Sequence, residues 1–134
     1  VPPHATRAAV AALLALAATA AAGKPLKVYI LAGQSNMQGH ASVTTFDSLA
    51  DDPKTAPLLK SMRGTDGKPR GCEKVWITSV GCQGNAYDDL KEQAGKLTVG
   101  YGAFGVEGNR IGPEYLFGIT MEDRLNEPVL LIKT

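Results

Sequence analysis

The strongest constraint on this chain is a strand read over Leu26 to Leu31, whose apolar run Val28-Tyr29-Ile30-Leu31 is unbroken and stops at a glycine and a serine in Ala32-Gly33-Gln34-Ser35-Asn36-Met37. A strand with one wet face alternates apolar and polar residues, whereas a continuous run suits a strand covered on both faces, as in a parallel sheet. Val75 to Val80 and Pro128 to Lys133 read as two further strands, the last carrying Val129-Leu130-Leu131-Ile132. From Gln34 to about Lys74 the pattern is irregular. It holds one short helix, Pro53 to Met62, and a turn at Thr65-Asp66-Gly67. Residues 81 to 112 read as loop.

The best helix follows. Gly112 is an acceptable N-cap, and Pro113 takes the first helical position, where a missing N–H costs nothing. Glu114 complements the positive end of the helix dipole. Phe117, Met121 and Leu125 recur every four residues as an apolar stripe. Glu122, Asp123 and Asn126 fall off that stripe, and Pro128 bars continuation. Strand, helix and strand in this order predict an α/β fold, a three-layer α/β/α sandwich on a mainly parallel sheet. With 134 residues there is material for one domain. Three strands and one good helix leave a sheet face uncovered. The third strand ends at Thr134, where the chemistry of such sheets begins. The expectation is a fold incomplete at its C-terminus.

Residues 1–22 differ from the rest. Arg7 is the only charge before Lys24, Ala8 to Ala22 is apolar apart from Thr19, and the stretch ends in Ala20-Ala21-Ala22. This is the pattern of a signal peptide, which places the domain at 23–134 and the protein in the periplasm or outside the cell. The apolar stretch is short for a membrane span, and no Cys stands near for a lipid anchor. Cys72 and Cys82 flank the second strand, whose extended length of roughly 30 Å far exceeds the ~7 Å a disulfide spans. They are expected not to bond to each other, and two Cys without His pairs make no zinc site.

Fourteen Lys+Arg against thirteen Asp+Glu give a net charge of +1, so no basic face for nucleic acid is foreseen. Gly100-Tyr101-Gly102-Ala103-Phe104-Gly105 spells G-x-G-x-x-G but lacks the strand and helix that a dinucleotide site requires. No cofactor or metal is implied. Asp51-Asp52 and Asp88-Asp89 are neighbours on loops, unsuited to flank one bond, and read as solvated turns. A sugar platform would come from Tyr29, Trp76, Tyr87, Tyr101, Phe104 or Tyr115.

Ser35 is the candidate nucleophile. Directly after a buried strand, it sits on a sharp turn at the carboxyl edge of the sheet, its hydroxyl exposed and its own N–H aimed at the same spot. Met37 replaces the second glycine of G-x-S-x-G, so the α/β-hydrolase elbow is not matched. Read from residues alone, a turn or cap serine is the commoner meaning of such a position.

Val28-Tyr29-Ile30-Leu31-Ala32-Gly33-Gln34-Ser35-Asn36-Met37 resembles the first block of the SGNH (GDSL-like) hydrolases. Its G-Q-S-N-M form is similar to that of the sialic-acid-specific acetylesterase and acetylxylan esterase branch. Ile111-Gly112-Pro113-Glu114, Phe117-Gly118 and Glu127 to Thr134 agree with that branch, in the same order. The resemblance implies a flavodoxin-like SGNH fold and hydrolysis of O-acetyl groups from carbohydrates through an acyl-enzyme on Ser35. It implies oxyanion donors at the Ser35 N–H and at a second-block glycine, for which Gly112 is the candidate. Gln34 and Asn36 would hold the turn or touch substrate. The branch's Asp-x-x-His pair and third-block side chain have no counterpart in these residues. His40 stands five residues after Ser35 and could be argued as a base oriented by Asp47, Asp51 or Asp52, although the resemblance takes its base from elsewhere. The competing readings are an inactive carbohydrate-binding relative and an SGNH lipase or thioesterase with another acyl preference.

Overall fold

The computed structural model describes residues 24–82, 90–103 and 109–134. The proposed signal peptide, Tyr87, the Asp88-Asp89 pair and Phe104-Gly105 lie outside them. In chain order the elements are β1 (Lys27–Leu31), α1 (Ser35–Gln38), β2 (Ala41–Ser42), a 3-10 segment (Val43–Ala50), α2 (Ala56–Met62), β3 (Val75–Cys82), β4 (Leu90–Lys96), β5 (Arg110–Ile111), α3 (Pro113–Leu125) and β6 (Val129–Lys133). The main sheet runs β1-β6-β3-β4. Its first three strands are parallel, in register at Leu31, Lys133 and Ser79, and β4 returns antiparallel to β3. The fold is α/β on a mainly parallel sheet, as the three apolar runs imply.

The core lies on one side of that sheet. Val75, Ile77, Val129 and Leu131 face it and are buried together with Tyr115 and Ile119 of α3 and Phe46 and Met62. Alternation puts Val28 and Ile30 on the other face, where they are 50% and 70% exposed, with Trp76 and Val80 beside them. Among the described residues two of the expected three layers are therefore present. The continuous apolar pattern of β1 marks a face that these residues leave bare.

Helix α3 starts as its sequence dictates, with Gly112 at the N-cap and Pro113 in the first turn, and ends at Asn126 in the left-handed region (φ 50°). Its deepest face differs from the expected stripe. Tyr115, Gly118 and Ile119 are buried, while Phe117, Met121 and Leu125 pack only partly against the core. A stripe at spacing four identified a flank, because Gly118 gives a period-based reading no apolar signal. Yet α3 packs tightly at Gly118: a Cβ there would fall 2.0 Å from Leu97 Cδ2 and 3.3 Å from Leu131 Cδ1 of β6. Tyr115 stacks on Phe46 at 5.9 Å. Its hydroxyl lies within hydrogen-bond reach of two carbonyls, Arg70 at 2.8 Å and Met62 at 3.0 Å, and its one proton is shared between them, so this buried phenol is satisfied.

The loop expected over 81–112 is corrected by β4 and β5. Strand β4, Leu-Lys-Glu-Gln-Ala-Gly-Lys, exposes nearly all its residues, so no buried face imprints alternation on it. It caps the sheet edge with charge, Thr78 bonding Glu92 and Lys96 pairing with Glu73. The short helix begins at Ala56, not Pro53, since residues 51–55 form a turn in which Asp52 accepts from Lys54 N–H. Cys72 is a free, buried thiol that burial pushes up to about 12. The strand predicted to separate it from Cys82 is β3.

Candidate active site

Strand β1 delivers the chain to the site. Its pairing with β6 runs on past the strand ends, Thr134 N–H donating to Leu31 and Gly33 N–H to Thr134. The chain then folds into the single turn of α1. The Gln34 carbonyl accepts from Gln38 N–H at 2.8 Å and that of Ser35 accepts from Gly39 N–H at 3.0 Å. Met37 returns over Gly33, where a Cβ would stand 2.6 Å from its own. That contact explains why glycine opens the Gly-Gln-Ser-Asn-Met segment. Ser35 is the first residue of α1 and is exposed at the carboxyl edge of the sheet. Its N–H belongs to a first turn, where amides have no intrahelical acceptor.

Pairing of β2 with β5 (Ala41 with Ile111, Ser42 with Arg110) brings the next two segments alongside. His40 precedes one of these strands and Gly112 follows the other. Gly39 has φ 81°, a conformation open to glycine, and a Cβ on it would lie 2.2 Å from Gly112 Cα. Two glycine backbones thus meet where α1 ends and α3 begins. The result is a cleft of about 300 Å³ lined by Ser35, Asn36, Gly39, His40, Ala41, Ile111, Gly112 and Pro113. This is the small end of ligand-site volumes.

Ser35, Asn36 and Gly112, the residues that the sequence singles out, all line this cleft. Gln34 caps α1 through its backbone and is not among the lining residues. The Gly112 amide, expected to face the cleft as an oxyanion donor, donates to Glu114 Oε1 at 2.8 Å. Glu114 is correspondingly more than a dipole partner. It is fully buried, and its other oxygen pairs with Lys133 Nζ at 2.9 Å. Lys133 also donates to the carbonyls of Gln38 (2.9 Å) and Tyr101 (2.5 Å). This lysine was missed, although its parity gave a signal: it follows Val129 and Leu131 on the inward face of β6, where an unpaired cation is untenable.

His40 lines the cleft, but its neighbours argue against a base. Its Nδ1 lies 3.1 Å from Arg110 Nη1. Arginine can only donate, so Nδ1 accepts and the proton sits on Nε2, making that nitrogen a donor. Of the carboxylates suggested as its orienters, Asp47 pairs with Arg63 and Asp52 caps its own turn. Of the aromatic residues named for a sugar platform, the four that are described do not line the cleft. Tyr101 and Tyr115 are buried, Tyr29 packs edge-on against Phe117, and Trp76 lies on the bare sheet face. Gly100 and Gly102 both donate to the Arg110 carbonyl, which makes this glycine segment a brace for β5. Among the described residues no group of three or more His, Cys, Asp or Glu could hold a metal ion, and no helix is long and apolar enough to cross a membrane.

A serine at the carboxyl end of a parallel strand, facing a helix head across a cleft, places the molecule among α/β proteins whose sites form at strand ends. The family profile described as carbohydrate esterase, sialic acid-specific acetylesterase matches residues 25–134, and the chain belongs to that family. No curated protein and no solved structure matches it.

Proposed function

We propose that the protein hydrolyses O-acetyl esters on carbohydrates, of the sialic acid or xylan type, through an acyl-enzyme on Ser35. The observation that carries this reading is the cleft in which exposed Ser35 faces Gly112 and Pro113, in a chain of a carbohydrate esterase family. Ser35 Oγ attacks the acetyl carbonyl and its proton passes to a base. The bond to the sugar oxygen breaks and the sugar leaves as its alcohol. Water then releases acetate from the serine. The carbonyl oxygen turns negative next to the Ser35 N–H, which supplies one donor. Gly112 admits the substrate by lacking a side chain. The base is the Asp-x-x-His histidine that the resemblance implies, since His40 is committed to Arg110. Export from the cytoplasm is part of the same proposal and rests on the Ala-rich residues 1–22.

The test is trapping by a fluorophosphonate probe, in this chain and in one extended by an Asp-x-x-His segment of the kind the resemblance implies. The extended protein should label at Ser35 and release acetate from acetylated sugars, and Ser35→Ala should do neither. Absence of labelling in the extended protein would reject the esterase reading in favour of a binding relative. Release of long acyl chains without acetate would favour the lipase alternative. Sequencing the N-terminus of the mature protein checks the export claim.

A further inference from the structure

We propose that Glu114 and Lys133 are a positioning pair that holds the Ser35 turn against the head of α3; the catalytic part of this inference rests on the esterase reading above. An ammonium group has three N–H donors, and Lys133 directs them at Glu114 Oε2, the Gln38 carbonyl and the Tyr101 carbonyl. The side chain is 4% exposed, and that of Glu114 is 0% exposed. The second Glu114 oxygen holds the Gly112 amide. One buried cation therefore ties together the last carbonyl of α1, the loop that braces β5, and the N-terminus of α3. Its anchor is rigid: Lys133 pairs with Leu31 on one side and with Ser79 on the other.

Fold stability does not account for this arrangement. A buried ion pair gains little over a well-packed apolar pair, because two charges must be desolvated to form it. What the pair supplies is geometry. It joins segments that approach at two glycines, Gly39 and Gly112, whose backbones have few side-chain contacts to hold them. The Ser35 turn has only four helical residues and could not fix its own orientation. Both ends of the cleft are thereby referred to one atom at the end of β6.

The test is the double variant Glu114→Gln/Lys133→Met in the extended protein. It removes both charges at nearly constant volume, whereas either single change strands a buried charge. Wild type and variant are compared in melting temperature, in kcat and KM for an acetyl ester, and in amide exchange. Misplacement of about 1 Å can cost 10²-fold in rate, so kcat should fall by about 10-fold or more, with KM held within about threefold. Exchange should quicken at Gly39 and Ala103, whose N–H groups bond Ser35 and Gly39, and stay slow at Ile119. A folded variant with unchanged kcat, or with unchanged exchange at Gly39 and Ala103, would overturn the inference. If the wild-type protein releases no acetate, the esterase reading falls, and the exchange rates still decide whether the pair positions the turn.

Discussion

The contact between Gly39 and Gly112 gives the sharpest quantitative expectation. Replacing Gly39 with Ala imposes two separable costs. The first is conformational: φ 81° and ψ 117° is a region that side-chain-bearing residues avoid, at about 1–3 kcal/mol. The second is steric. The new Cβ would sit 2.2 Å from Gly112 Cα, 2.5 Å from Gly112 N and 2.6 Å from the Ile111 carbonyl oxygen. Carbon atoms rest at about 3.5–4.0 Å, so a backbone held by β5 pairing must retreat by more than 1 Å, at about 1–3 kcal/mol for overpacking. The sum, about 2–6 kcal/mol, is a large share of an ordinary domain's stability of about 5–15 kcal/mol.

Two other glycines separate the terms. Gly67 has a similar φ of 77° but nothing within 4 Å of its Cβ position, so Gly67→Ala reports a positive-φ cost with no steric part. Gly112 has φ −124°, open to any residue, while its Cβ would lie 2.5 Å from Glu114 Oε2 and 2.9 Å from the Met37 carbonyl. Gly112→Ala thus reports the steric cost alone. Urea denaturation followed by circular dichroism and by the single tryptophan, Trp76, measures all three. The expected order of destabilisation is Gly39→Ala first, with the other two each smaller. Gly39→Ala no more costly than Gly67→Ala, at an unchanged m-value, would refute the close approach on which the cleft is built.

Three further outcomes are expected. Gly118→Ala should lose about 1–3 kcal/mol to overpacking against Leu97, and Leu97→Ala in the same chain should recover part of it, as read by urea midpoint. Burial pushes both the Cys72 thiol and the Tyr115 phenol up to about 12, so the folded state keeps protons that the unfolded state releases. Stability is then full below about pH 9 and falls as pH rises toward 12, by up to about 1.4 kcal/mol per pH unit for each group; midpoints measured at pH 8 and pH 10.5 check the sign, and Cys72→Ala should flatten the slope. Nitrogen-15 spectra of the His40 ring should show the Nε2–H tautomer, and Arg110→Gln should release it; an Nδ1–H ring in the unaltered protein would reopen the base reading.

Much of the sheet was legible because its strands bury side chains, and burial writes itself into sequence. Val75 to Val80, Pro128 to Lys133 and the run ending at Leu31 were found within two residues of their bounds. The start of α3 was legible for another reason: Gly112 and Pro113 are backbone instructions that need no partner. Strand β4 was not legible, since an edge strand with both faces wet has no pattern to show. The two-residue strands β2 and β5 are set by each other, and neither has a signal alone. Gly39 belongs with them. Its role exists only where Gly112, distant in sequence, arrives at the same point.

The same distinction governs the site. Ser35 could be singled out because a strand, a glycine and a serine are consecutive, so local sequence fixes their geometry. Gly112 was chosen for standing at a helix head, and it does line the cleft, yet its amide is turned to Glu114. Only the tertiary partner reveals that. Lys133 makes the point most clearly. A lysine closing Val-Leu-Leu-Ile on the inward parity must find an anion, and Glu114 heads the preceding helix, so both halves of the pair were in view. What sequence could not supply was the third party, the Gln38 carbonyl, because the end of α1 becomes a neighbour of β6 only after β1 and β6 have paired. The orientation of the Ser35 turn is thus a consequence of sheet formation, and on the proposed esterase reading changes that loosen the β1–β6 ladder should alter the reactivity of Ser35 before they unfold the core.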